Sequence, residues 1–250
     1  MGRHKKPKNP NFVWWIVFIA FCIFVYLVWN EYGKGLFSNT TSTTTITTKS
    51  AILTPIDYTT KEIKEEKEKY LLAVSYPYFK IDYVDKSIKA FIDLSINEFE
   101  KDIKDYEIFN DNKNSLDIFF ESYLISTSAI SLKFVVSTYT GGAHGNQIIT
   151  TKNFDLISKR EVQLKDLFKN DSYLAYISQK AIEQFTKSNI SNSQWLVDGA
   201  GPAYINFKDF TYSANNKSFI FHFDPYQIAP YSSGLLTFEV AKSELVDYLK

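Results

Sequence analysis

Cysteine and histidine are the scarcest chemistry in this chain: one Cys and three His among 250 residues. A lone Cys22 excludes an intramolecular disulfide and CxxC-type zinc or redox chemistry. Beyond the first residues only His144 and His222 remain, too far apart for an HExxH or H-x3-H metal pattern. No G-x-S-x-G elbow is present either. Basic charge is also missing where nucleic-acid binding would need it. Arg3, Lys5, Lys6 and Lys8 crowd the N-terminus, leaving 24 basic against 28 acidic residues in the rest, about −4. That balance argues against a nucleic-acid partner. No cofactor and no metal are expected.

Long apolar runs are absent except one, "FVWWIVFIAFCIFVYLVW" at 12–29. As a helix its 18 residues would span roughly 27 Å, close to the ~30 Å of a hydrocarbon core. Trp14, Trp15 and Trp29 sit near its ends, and the basic cluster precedes it. The positive-inside rule predicts a cytoplasmic tail at 1–11, a single-pass membrane anchor at 12–29 and everything after it outside the cell. No A-x-A pattern marks a cleavage site, and Cys22 lies mid-span behind Phe21, which does not fit a lipidation site. Residues 30–54, with "NTTSTTTITTKS", read as an extended spacer.

Hydrophobic residues make up 45% and aromatics 17%, ample for a packed core without disulfides. "KEIKEEKEKY", 61–70, is helical by composition, yet its apolar flanks also fit strands with a charged hairpin; both readings stand. In 83–106, Val84, Ile88, Phe91, Ile92, Phe99 and Ile103 recur at helical spacing. A second helix is predicted over 172–188. "LDIFFESYLIST", "AISLKFVVSTYT", "NQIITTKNFDLIS", "REVQLKDLF", "INFKDFTYSA", "KSFIFHFDPY" and "GLLTFEVA" read as strands. "WLVDGAGPA" reads as a loop, and "SELVDYLK" as a short helix capped by Ser243. The expectation is an α+β fold: antiparallel sheets with helices packed on one face, in an N-terminal part at 55–140 and a C-terminal part at 141–250.

Two loops carry the candidate chemistry. In "YTGGAHGNQ", Gly141, Gly142 and Gly145 surround His144 behind Tyr139. The glycines permit left-handed backbone and close approach. His144 is open to a structural, ligand-contacting, metal or catalytic role. In "FDPYQIAPYSSGLL", Asp224 precedes Tyr226, and Pro230, Tyr231 and Ser232 follow. Stiff loops with flat, hydroxyl-bearing rings suit a sugar face or a partner protein's cleft. The competing reading is a core-packing crossover.

"STYTGGAHGNQIITTKNFDLISKREVQLKDLF" followed by "FHFDPYQIAPYSSGLLTFEVAKSEL" resembles the C-terminal part of the RsiV-type extracytoplasmic domain family. Its marks here are the glycine-rich His turn, Asn153 to Leu156, and Asp166 to Phe168. The part before it, with "SYPYF" and "SIKAFIDLSINEF", is similar to the domain that usually accompanies it. The resemblance covers about 190 of the 250 residues. It implies one of three contexts: a lysozyme-binding anti-sigma factor, an accessory module of PdaC-type peptidoglycan deacetylases, or an uncharacterised exported or anchored protein. The 11-residue tail is too short for a sigma-binding domain, and no deacetylase metal motif occurs. The expectation is therefore a membrane-anchored, non-catalytic binding module for cell-wall glycan or a lysozyme-like protein. Its expected ligand residues are Tyr139, Gly141, Gly142, His144, Gly145, Asp224, Tyr226, Pro230, Tyr231 and Ser232. The alternative is a small envelope hydrolase using His144, Asp155 or His222.

Overall fold

The computed structural model describes residues 56–104, 113–190 and 193–250. The tail, the anchor at 12–29 and the spacer at 30–54 lie outside the described residues, as do 105 and 106 of the first predicted helix. Among the described residues no helix is long and apolar enough to cross a membrane.

The charged 61–70 stretch is a hairpin. β1 (Thr59–Glu66) pairs antiparallel with β2 (Tyr70–Tyr78). The Lys/Glu composition favours helix locally, but pairing with β2 decides. β1 is also an edge strand, where charged side chains discourage association with other chains.

Helix α1 (Asp82–Asp102) buries Val84, Ile88, Ile92 and Phe99, the predicted stripe. Asp82 and Asp85 lie in its first turn, favourably for the helix dipole. The Asp85 carboxylate also accepts the amides of Phe79 (2.8 Å) and Ile81 (2.9 Å), fixing the entry. From α1 the chain returns to β3 (Asn114–Ile125), which pairs parallel to β2. The other described strand pairs are antiparallel as expected; this one is not. A strand–helix–strand crossover brings β3 back in the same direction as β2.

β4 (Ala129–Tyr139), β5 (Asn146–Asp155) and the two-residue β6 (Arg160–Glu161) complete a six-stranded sheet, all antiparallel after β3. Position 140/141, the expected boundary between the two parts, falls in the β4–β5 hairpin, so pairing runs across it. One face of the sheet, with Leu72, Val74, Leu116, Ile118, Ile130, Leu132, Phe134 and Phe154, is packed by α1.

The second layer follows. Gln163 and Asp166 form a capping box on the 3-10 turn Leu164–Leu167, which replaces the predicted strand after Glu161. Helix α2 (Tyr173–Ser188) ends at Asn189 in left-handed geometry (φ 52°). "WLVDGAG" is not a loop: α3 spans Ser193–Gly199, and the helical turn α4 (Tyr204–Phe207) takes the first half of "INFKDFTYSA". β7 (Phe210–Tyr212), β8 (Ser218–Phe223) and β9 (Leu236–Ala241) form an antiparallel sheet. Its Phe210, Phe219, Phe221, Phe223, Phe238 and Val240 share a core with Tyr173, Leu174, Ile177, Ala181 and Phe185 of α2. The predicted C-terminal helix is only a 3-10 turn at Lys242–Glu244 containing Ser243, which is not its cap. Leu249 bridges Phe168, and the Lys250 amide donates to the Leu167 carbonyl (3.0 Å), drawing the end away from helical geometry.

Polar groups join the two layers. The Tyr212 amide donates to Ser131 Oγ (2.9 Å), which donates to Asn153 Oδ1 (2.5 Å), while Asn153 Nδ2 donates to the Phe210 carbonyl (2.8 Å). Ser131 and Asn153 are both buried. They satisfy the outer edge of β7, which has no strand partner there among the described residues. Farther along β5, the Thr151 amide donates to Asp209 (3.0 Å) and the Ile149 amide to Asp224 (2.6 Å).

Candidate functional site

The Ile149–Asp224 bond places the two sequence-predicted loops side by side. At the end of the β4–β5 hairpin, Gly141 and Gly142 turn the chain with φ of 95° and 99°, a region that favours glycine. A Cβ on Gly145 would lie 2.7 Å from the Thr138 carbonyl, so the returning strand needs glycine for clearance. The Tyr139 hydroxyl donates to the Gly142 carbonyl (3.2 Å). His144 stands exposed at the tip.

Opposite it, Asp224–Pro225–Tyr226–Gln227 forms a tight turn. The Gln227 amide donates to the Asp224 carbonyl (3.1 Å), and Tyr226 has φ 68°. Pro at the second position and a positive φ at the third are the marks of a type II turn. That third position usually belongs to Gly, and a tyrosine there costs on the order of 1–2 kcal/mol. Burial of the ring does not offset this, since Tyr226 is 50% exposed.

The turn is held from below. Gln227 Oε1 accepts the Asp224 amide (3.1 Å), and its Nε2 donates to the carbonyls of Gly199 (2.8 Å) and Asn206 (3.0 Å). A Cβ on Gly199 would stand 1.8 Å from the Gln227 carbonyl oxygen, so α3 reaches the turn only because it ends in glycine. Asp224 is partly buried. Burial raises its carboxyl above the usual carboxylate range, partly offset by the Ile149 amide.

The rings converge. His144 stacks on Tyr231 with centroids 4.5 Å apart and planes 23° from parallel. Tyr226 lies 5.4 Å from Tyr231 and 6.5 Å from His144. Trp195 of α3 meets Tyr226 edge-on at 6.2 Å. His144 Nδ1 is 2.8 Å from the Gly145 carbonyl, an acceptor only, so Nδ1 carries the proton. Nε2 then accepts from the Tyr226 hydroxyl at 3.4 Å. Pro230 and Ser232 are exposed beside Tyr231, on a 3-10 turn closed by Gly234 at φ 70°. Tyr226 also lines a cleft of about 450 Å³ together with Asn206, Lys208, Asp209, His222 and Asp224. Trp195 was not foreseen, because glycine and proline make its surroundings read as a loop.

The residues of the hydrolase alternative do not meet. Asp155 ends β5, roughly 30 Å along the strand from the His144 turn at ~3.3 Å per residue. Its Oδ1 accepts the amides of Ile157 (2.9 Å) and Ser158 (3.1 Å). His222 is buried, its Nε2 2.9 Å from Thr211 Oγ1 and its ring edge-on to Tyr123 at 5.1 Å. Burial, with the nearby Lys133 charge, pushes its imidazole down to about 3. Among the described residues no three His, Cys, Asp or Glu side chains converge as a metal-binding set.

The fold is a mixed α+β unit with a polar-stapled pair of sheets and an aromatic rim. Residues 165–243 match the family described as "Protein of unknown function (DUF3298)", and residues 63–147 match the family described as "Deacetylase PdaC". Over 183 residues, 71% of this chain, the sequence is 30% identical to the peptidoglycan-N-acetylmuramic acid deacetylase PdaC of Bacillus subtilis (strain 168). The chain spans 38% of that protein's length. The fold is similar to the crystal structure of a DUF3298 family protein from Pseudomonas aeruginosa PAO1. The TM-score is 0.55 at 14% identity, covering 78% of this chain and 95% of that one. A DUF3298 family member from Bacteroides fragilis gives 0.50 at 16% identity, covering 80% and 95%. The RsiV-type label of the sequence resemblance is not among these matches; the DUF3298 and PdaC regions are.

Proposed function

We propose that this chain is a membrane-anchored, extracytoplasmic binding module of the cell envelope that recognises peptidoglycan glycan through the His144–Tyr226–Tyr231 rim. The single observation that carries the reading is Tyr226: a half-exposed ring kept in a left-handed backbone position that favours glycine. An unfavourable conformation held at the surface by surrounding bonds points to function rather than stability. Tyrosine rings with their hydroxyls offer an apolar face and a polar edge, which match the C–H face and the hydroxyl edge of a sugar ring. The relative named above acts on peptidoglycan, which supplies the ligand class. The anchor at 12–29 and the outward topology rest on the apolar length and the basic N-terminal flank.

The test is co-sedimentation of the fragment 52–250, which coincides with one compact unit, with purified peptidoglycan. Retention of the wild type and its loss in Tyr231→Ala support the reading. No retention would overturn it, and capture by immobilised lysozyme instead would assign the rim to a lysozyme-like protein.

A further inference from the structure

A second cleft, of about 420 Å³, lies between β5–β6 and the C-terminal turn, away from the aromatic rim. Its volume is in the ~300–1,000 Å³ range of small-ligand sites. Lys242 stands in its wall. The ammonium lies over the rings of Tyr212 (4.5 Å to the centroid) and Phe219 (4.9 Å). It donates to Asn216 Oδ1 (2.5 Å), and among the described residues it has no carboxylate partner within ion-pair distance. An ammonium has three donors, and one hydrogen bond is described for this one. Burial depresses this ammonium to about 8. Tyr212 lines the same cleft, and none of the described hydrogen bonds uses its hydroxyl.

The charged side chains lining the cleft are Arg160, Lys242 and Lys250 against Asp155 and Asp166. Both acids are engaged. Asp155 accepts the amides of Ile157 and Ser158. Asp166 accepts the Gln163 amide (2.9 Å) and pairs with Arg160 (3.2 Å). Phe154, Val162, Leu167 and Leu249 give the walls their apolar part, beside the polar Ser128 and Asn216. Two ring faces and one amide oxygen hold the ammonium in place, and an anion entering the cleft would add the counter-charge it lacks.

We infer that this cleft binds the free carboxylate of a short peptide with small apolar side chains, Lys242 pairing with the carboxylate and Tyr212 donating beside it. The wall stem peptide as its source rests on the peptidoglycan reading above; the carboxylate chemistry does not.

The experiment titrates fragment 52–250 with D-alanyl-D-alanine and, separately, with its C-terminal amide, following the Lys242 resonance by NMR. The proposal predicts saturable binding of the acid, at least about tenfold weaker binding of the amide, and a Lys242 pKa that rises when the acid binds. Both Lys242→Met and Lys242→Gln should abolish binding while keeping the wild-type circular dichroism. Equal response to acid and amide, no response to the acid, or binding that survives in a folded Lys242 variant would overturn it. Tyr226→Gly separates the two readings. It breaks the rim but not this cleft, so dipeptide binding should persist in it whether or not peptidoglycan retention is lost.

Discussion

The imidazole of His144 lies over the ring of Tyr231, 4.5 Å between centroids. The two residues come from opposite halves of the C-terminal part, and the bond from the Ile149 amide to Asp224 ties the strand after His144 to the segment that leads to Tyr231. Stacked pairs of this kind contribute ~0.5–1.5 kcal/mol beyond burial. A double-mutant cycle of His144→Ala and Tyr231→Ala, read as peptidoglycan affinity, should show coupling of about that size. Strict additivity would mean that the rings act separately.

Gly199 and Gly142 should respond differently to alanine. At Gly199 the new Cβ meets a backbone carbonyl, so α3 or the Tyr226 turn must move. At Gly142 the space is open and only the backbone angle is wrong. Gly142→Ala should cost ~1–2 kcal/mol. Gly199→Ala should cost more and also weaken peptidoglycan binding, as measured by urea denaturation beside a binding assay.

Asn153 is a structural residue on this account. Asn153→Ala leaves the Ser131 hydroxyl and the Phe210 carbonyl without their partner inside the protein. A loss on the order of 2–4 kcal/mol is expected, which lowers the melting temperature by several degrees for a domain of this size. The affinity of the folded fraction should not change.

His222 makes the fold sensitive to acid. Its folded pKa, about 3, lies below the ordinary 6.5, so between these values the unfolded chain binds more protons. Stability therefore rises as pH rises from about 3 to 6.5, and is lost as pH falls through that window, by on the order of a few kcal/mol. His222→Gln removes the titration and should move the acid-unfolding midpoint to lower pH.

The sequence reveals those elements whose burial follows a local period. Val84, Ile88, Ile92 and Phe99 repeat as a helix must, and the alternating phenylalanines of β8 mark its buried face. Elements decided by a distant partner are hidden. β1 is written in helix-forming lysines and glutamates and becomes a strand by pairing with β2. The parallel placement of β3 depends on which strand α1 returns to. Of the site, His144, Tyr226 and Tyr231 could be picked out from their glycine- and proline-rich loops. The commitment of Asp224 to the Ile149 amide could not, nor the need for glycine at 199, because each is set by a backbone atom far away in the chain.

The most direct measurement compares Tyr226→Gly with the wild-type fragment by calorimetric titration of soluble peptidoglycan fragments and by thermal melting. Glycine suits the left-handed position, so the melting temperature should stay the same or rise, while affinity should fall at least about tenfold, or ~1.4 kcal/mol. Unchanged affinity in a stably folded Tyr226→Gly protein would contradict the claim that this ring is held at the surface to bind.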